Sequence, residues 1–163
     1  MSNLALTIGV SGSGKSFFTE NELVKKEGYV EVNADNIRRH IFHDVSDQSH
    51  NKEVFKIADK EIDRLINEDK NVVNSNTNLN IDIIKFYIKK YSDICDEIGI
   101  YIITDSFDKN LCWNRICSDL EEGKVRSKVP KYVHDMQYER FIKLYNELSD
   151  MDFGKKNVKI YEI

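Results

Sequence analysis

The chain has 163 residues, a formal net charge of −4 and a sequence pI near 5.6, with 40% of its residues hydrophobic and 32% charged. A chain of this length buries a core without disulfide or metal staples, and no apolar run approaches the roughly 20 residues of a membrane span. The acidic balance excludes a chain-wide basic surface, so any polyanionic partner must meet a local one.

Residues 4–8 read as a short apolar strand that empties into Gly9-Val10-Ser11-Gly12-Ser13-Gly14-Lys15-Ser16, a G-x-x-x-x-G-K-[S/T] pattern. Glycines let the backbone approach phosphate oxygens closely, and the helix expected over 15–26 aims its N-terminal dipole at the same anion. Gly9, Ser11, Gly12, Ser13 and Gly14 then form the cradle, Lys15 reaches the β and γ phosphates, and the Ser16 hydroxyl sits on Mg²⁺. Residues 29–32 read as the next strand and 35–43 as a helix. Asp35 thus falls at the carboxyl end of a strand, where the ligand crevice of an open α/β sheet lies. A carboxylate there can take the proton of an attacking hydroxyl, or it can simply cap the helix, and the residue type fits both. Arg38 shares the helix face and can clamp a phosphate, whereas Arg39 is expected to face solvent.

Residues 51–67 form the next helix, with Val54, Ile57, Ala58, Ile62 and Leu65 as its core stripe. A short strand at 71–73 leads into Asn74, Asn76, Asn78 and Asn80, residues that turn the chain or cap the next helix. Many phosphate-loop enzymes carry an acid at the end of a neighbouring strand, and here the position is Asn74 or Asn76. A helix at 81–91, a strand at 98–103 and a helix at 109–120 precede the charged segment 121–128, which reads as a candidate lid near 120–130. Pro130 suits the first turn of a helix at 131–148, whose core stripe is Tyr138, Phe141, Ile142, Tyr145 and Leu148. A strand at 158–163 completes the pattern. Three cysteines, Cys95, Cys112 and Cys117, lack zinc-site spacing and read as reduced packing residues.

Alternation of short apolar runs with amphipathic helices gives an α/β class with a parallel sheet, one domain over 1–163, and no targeting segment. Taken together, Leu6-Thr7-Ile8-Gly9 through Ser16, Asn33-x-Asp35-x-x-Arg38, Asn76-Thr77-Asn78-Leu79-Asn80, and the run from Arg115 through Arg126 to Val129-Pro130 resemble the phage-type polynucleotide 5′-hydroxyl kinase family. The resemblance covers essentially the whole chain in order.

The resemblance implies a P-loop NTPase fold of the adenylate-kinase-like kind: a three-layer sandwich with a four- or five-stranded parallel sheet and a short lid. It implies ATP and Mg²⁺ as cofactors and the 5′-hydroxyl ends of DNA or RNA as partners. It implies no membrane, and a working link to a ligase or 3′-phosphatase. The expected location is the cytoplasm, or the host cell interior if the protein is phage-encoded. Lys15 and Ser16 would hold phosphates and metal, Asp35 would be the general base, and Arg38 would bind the phosphate beside the terminal nucleoside. Arg126 would stabilise the transferring phosphoryl group, with Arg115 a second arginine near the nucleotide. Two departures stand out: Asn76 occupies a position the family fills with aspartate, and the stretch from Arg115 to Val129 is longer than usual. A small-metabolite or nucleotide-sugar kinase would use Asp35 in the same way without Arg38, and a non-catalytic nucleotide-binding module would tolerate Asn76.

Overall fold

A strand with apolar residues on both faces has to be covered on both sides, and the centre of the sheet shows this directly. In the computed structural model, which describes residues 2–43, 49–124 and 129–163, β1 (Asn3–Ile8) is buried from Leu4 onward. It pairs in parallel with β3 (Val72–Asn74) from Leu4 opposite Val72 to Leu6 opposite Asn74. On its other side it pairs with β4 (Glu97–Ile102) from Asn3 opposite Glu97 to Ile8 opposite Ile102. The edges are β2 (Val30–Val32) beside β3 and β5 (Val158–Glu162) beside β4, so the parallel order is β2-β3-β1-β4-β5. Five strands form the sheet, within the four or five expected. The connection after β1 leaves toward β2 and that after β4 toward β5, and this divergence opens a crevice at their carboxyl ends.

The helix after β1 is continuous but not uniform: α1 (Lys15–Phe18), a π-helical turn at Thr19–Val24, then α2 (Lys25–Glu27). Gly28 ends it in the left-handed conformation, with φ 74°. The next helix repeats the device, with α3 (Ala34–Ile37) running into a π-helical turn at Arg38–Phe42. Downstream lie α4 (Asn51–Asn67), α5 (Ile81–Tyr91), a 3₁₀ turn at Thr104–Phe107, α6 (Lys109–Glu121) and α7 (Lys131–Ser149). Pro130 stands just outside α7 as its N-cap, one residue earlier than expected, and its carbonyl accepts from Val133 N and His134 N.

Most of the core lies between β1, β3, β4 and helices α4, α5 and α7. A smaller cluster of Ala5, Leu23, Tyr29 and Val73 fills the face under α1 and α2. The α4 stripe is as expected at Val54, Ala58, Ile62 and Leu65, with Ile66 added and Ile57 half-buried. On α7 Phe141 and Leu148 are buried and Ile142 and Tyr145 pack against the core as expected, Leu144 and His134 are buried besides, and Tyr138 stays half-buried outside the cluster. The Tyr138 ring misleads because a tyrosine can keep its hydroxyl wet while its ring packs. Cys95 and Cys112 are buried free thiols, and burial pushes each up to about 11, which keeps them protonated. Among the described residues no helix is long and apolar enough to cross a membrane.

Candidate active site

The backbone of the loop from Gly9 to Ser16 is pinned by three outside groups and one bond within the loop. Gly9 N donates to the Thr77 carbonyl at 3.4 Å, Val10 N to Ser106 Oγ at 3.1 Å, Ser11 N to Gln137 Oε1 at 2.9 Å and Ser13 N to the Val10 carbonyl at 3.2 Å. Gly12 and Gly14 adopt left-handed φ values of 81° and 90°. No side chain among the described residues caps α1, so the first-turn N–H groups are left for an external anion. That arrangement fits a nucleotide phosphate. Ser16 is exposed at the cavity wall and offers a hydroxyl oxygen suited to Mg²⁺, while no cluster of three or more acidic, His or Cys ligands occurs among the described residues.

Gly12 tests the loop's packing. A Cβ there would lie 2.2 Å from the Cys112 carbonyl oxygen, whereas at Gly28, also left-handed, it would meet nothing within 4 Å. Gly12→Ala is expected to cost about 2–6 kcal/mol from backbone strain and overpacking, a drop of roughly 5–20 °C in thermal melting. Gly28→Ala carries only the strain contribution, about 1–3 kcal/mol, and a melting comparison separates the two.

Facing the loop is a wall built by β2, α3 and the segment after β3. Asn33 caps α3, its Oδ1 accepting from Asp35 N at 2.8 Å and Asn36 N at 3.2 Å. The capping role left open to Asp35 by its residue type therefore belongs to Asn33, and the Asp35 carboxylate is directed elsewhere. It accepts from Arg38 Nη1 at 2.7 Å, and Arg38 Nη2 donates to Asn51 Oδ1 at 2.7 Å. Arg38 is buried, with its guanidinium 6.0 Å from the centroid of the Phe55 ring. Arg39 is exposed, as expected.

Lys15 points across the gap and donates to the Ser75 carbonyl. Burial lowers its ammonium from its ordinary value to about 8, against the opposing pull of the Asp35 and Glu31 carboxylates. Ser75 is the hub of this wall. Its hydroxyl donates to Glu31 Oε2 at 2.9 Å and accepts from Asn33 Nδ2 at 2.9 Å. Asn76 uses its Oδ1 to accept from Ala34 N at 2.8 Å, so the residue standing in place of an acid ties β3 to the start of α3.

On the opposite side Arg115 donates through Nη1 to the Gly12 carbonyl at 3.2 Å and through Nη2 to Asp105 Oδ2 at 2.9 Å. This places Arg115 on the phosphate loop itself. Arg126 and the central part of the expected lid lie outside the described residues.

Loop, wall and Arg115 surround one cavity of about 1390 Å³ that also takes in Phe17, Phe55, Lys124, Pro130 and Tyr132. The structure therefore brings together Gly12, Ser13, Gly14, Lys15, Ser16, Asp35, Arg38 and Arg115, with Ser11 also on the lining. Gly9 lies behind them, beneath Ser13 and Ser106. Sequence reasoning missed Glu31, Ser75, Asp105, Ser106, His134 and Gln137. Only Asn33, a favoured capping residue one position before the helix, carried a readable signal.

Comparison with known proteins places this geometry. No curated protein sequence matches the chain significantly. Among solved structures, one chain of the Pnkp1/Rnl/Hen1 RNA repair complex superposes with a TM-score of 0.76 at 19% identity, covering 93% of this chain and 47% of that one. This chain thus spans less than half the length of that relative. A chain of the PezAT chromosomal toxin-antitoxin system of Streptococcus pneumoniae gives a TM-score of 0.67 at 16% identity, covering 99% of this chain and 68% of that one. A gluconokinase from Sinorhizobium meliloti gives 0.55 at 16% identity, covering 99% and 82%. These likenesses establish a P-loop NTPase-like fold of five parallel strands and helices. A family model described as AAA domain matches residues 4–144, most of the length, and the chain belongs to that AAA domain family of P-loop proteins.

Proposed function

We propose that the protein is a phosphotransferase that moves the γ-phosphate of ATP to the 5′-hydroxyl end of DNA or RNA, in the setting of nucleic-acid end repair. The observation that supports it is the pairing of Asp35 with buried Arg38 on the wall opposite Lys15, within one cavity. A carboxylate there can accept the acceptor hydroxyl's proton, and a guanidinium beside it can hold an acceptor that carries its own phosphate.

In this reading the phosphate-loop amides and Lys15 hold the β and γ phosphates, and Arg115 contacts the nucleotide from the Gly12 side. Ser16 would hold Mg²⁺ together with phosphate oxygens and water. When bound, the ion neutralises charge on the phosphates. Asp35 accepts the proton as the acceptor oxygen attacks in line, and Arg126, by resemblance, meets the transferring phosphoryl group. Catalysis is then mainly positioning and charge neutralisation.

The test is incubation with γ-labelled ATP and a panel of a 5′-hydroxyl oligonucleotide, a nucleoside 3′-monophosphate, a nucleoside and a set of sugars and sugar acids. Label is expected on the first two. Label on a sugar or on the free nucleoside alone would assign a small-metabolite kinase, and none on any acceptor a binding module. Arg38→Ala and Arg38→Lys are expected to raise KM for phosphate-bearing acceptors roughly 10- to 100-fold, the scale of a lost charge-assisted hydrogen bond, while leaving KM for ATP within a factor of about two. Equal losses on both would remove Arg38 from acceptor recognition.

A further inference from the structure

Two side chains of α7 take both backbone polar groups of one residue in the phosphate loop. Gln137 Oε1 accepts from Ser11 N at 2.9 Å, and His134 Nε2 lies 3.2 Å from the Ser11 carbonyl oxygen. They are three residues apart, so they stand on one face of the helix. His134 is fully buried, its ring centroid 5.5 Å from that of Trp113 on α6. We infer that His134 and Gln137 are positioning residues that set the Ser11 backbone, so that nucleotide affinity depends on how α7 seats against the phosphate loop.

The next residue shows why such a clasp is needed. Gly12 has no side chain to resist rotation, and its φ of 81° is one that only glycine adopts cheaply. In a trans peptide the C=O and the following N–H point in opposite directions, so holding the Ser11 carbonyl on His134 aims the Gly12 N–H away from α7. The Gly12 carbonyl is held in turn by Arg115. Successive amides gather an anion only when their peptide planes are held in one sense.

The chemistry of the histidine makes the clasp sensitive to protonation. A carbonyl only accepts, so Nε2 carries the proton, and Nδ1 is buried with no hydrogen-bond partner among the described residues. A second proton would sit on Nδ1 without an acceptor. Burial depresses the imidazole below its ordinary value; Lys131 on the same helix and Lys109 on α6 add to that, while the Ser11 carbonyl and Asp135 oppose it. The neutral ring is the holding form: a second proton would leave the Nε2–H bond made but would put a charge and an unaccepted Nδ1–H into a buried site, and acid acts on the clasp through that cost.

The inference rests on ATP binding by this loop and is independent of the acceptor. Calorimetric titration of Mg-ATP into the full chain tests it, at a temperature where circular dichroism shows each variant folded. His134→Leu and Gln137→Leu are expected to weaken ATP about tenfold, the scale of one hydrogen bond to a backbone group. His134→Gln places an amide N–H near the Nε2 position and is expected to stay within about twofold of wild type. As pH falls below the ordinary imidazole range, wild type should lose affinity more steeply than His134→Gln, since ATP's own protonation is common to both. Leucine variants that bind as wild type does, or a glutamine variant as weak as leucine, would overturn the inference. If the leucine variants do not fold, the glutamine variant decides alone, through retained affinity and the loss of the steeper acid limb. Wild type that binds no ATP would defeat the phosphate-loop reading itself, whereas failure on 5′-hydroxyl ends would leave the clasp standing.

Discussion

Lys15→Ala is expected to lower phosphoryl transfer by at least about a thousandfold, because it removes the cation that the phosphate-loop reading sets against the β and γ phosphates. Among the described residues the two arginines of the cavity are engaged elsewhere: Arg115 is committed to Gly12 and Asp105, and Arg38 sits on the opposite wall against Asp35. The same residue sets an alkaline limit. Its ammonium is lowered to about 8 by burial, so the cation is complete below that pH and is lost as pH rises through it. ATP affinity should therefore fall between about pH 7 and pH 9, and Lys15→Ala should abolish that slope as well as the activity. Bound phosphate raises the ammonium again, so the slope should be strong in affinity and weak in kcat at saturating ATP. An alanine variant with unchanged turnover would remove the phosphate-loop assignment.

Asp35→Asn is expected to cut kcat by about 10²- to 10⁴-fold, the usual worth of a positioned general base, with ATP affinity nearly unchanged. The amide is close to isosteric and its oxygen can still accept from Arg38, so the wall should keep its shape. Asn33, not Asp35, caps α3, which separates catalysis from helix stability at this position. Asn33→Ala is the matching control: it should cost about 1 kcal/mol of stability through the lost cap. If Asp35→Asn lowered melting and ATP binding as much as turnover, the carboxylate would be structural.

The donor half of the cavity was legible because it is contiguous. One run of nine residues, Ile8 to Ser16, holds strand end, glycines, lysine and serine, so the pattern can be read without knowing the distant groups that hold it. Asp35 and Arg38 were legible for a related reason, since three residues on a helix bring side chains together, and they meet at 2.7 Å. The residues that support these were not legible. Gln137 and Ser106 reach the loop from 126 and 96 positions away, and no local pattern marks a polar residue on a core-facing helix as a partner of a distant backbone. The asparagines were seen but not sorted: Asn74 Oδ1 accepts from Asn76 N, Asn76 holds α3, Asn78 donates to the Thr7 carbonyl and Asn80 caps α5. One residue type at alternate positions served four separate contacts, and only tertiary placement distinguishes them. The π-helical turns after Phe18 and Ile37 left no mark in hydrophobic spacing.

The two walls of the cavity are anchored very unequally. Lys15 comes after β1, the middle strand, bonded on both sides, while Asp35 and Arg38 come after β2, a three-residue edge strand bonded only to β3. Backbone amides around residues 30–32 should exchange with solvent well before those of residues 4–8, since an edge strand opens without disturbing the centre. Such grading makes the molecule divisible under selection: substitutions that reshape the peripheral wall leave the nucleotide grip intact. In the proposed reading, a lineage with this sheet could change its acceptor while keeping its donor, and the residues after β2 are where such a change would be written.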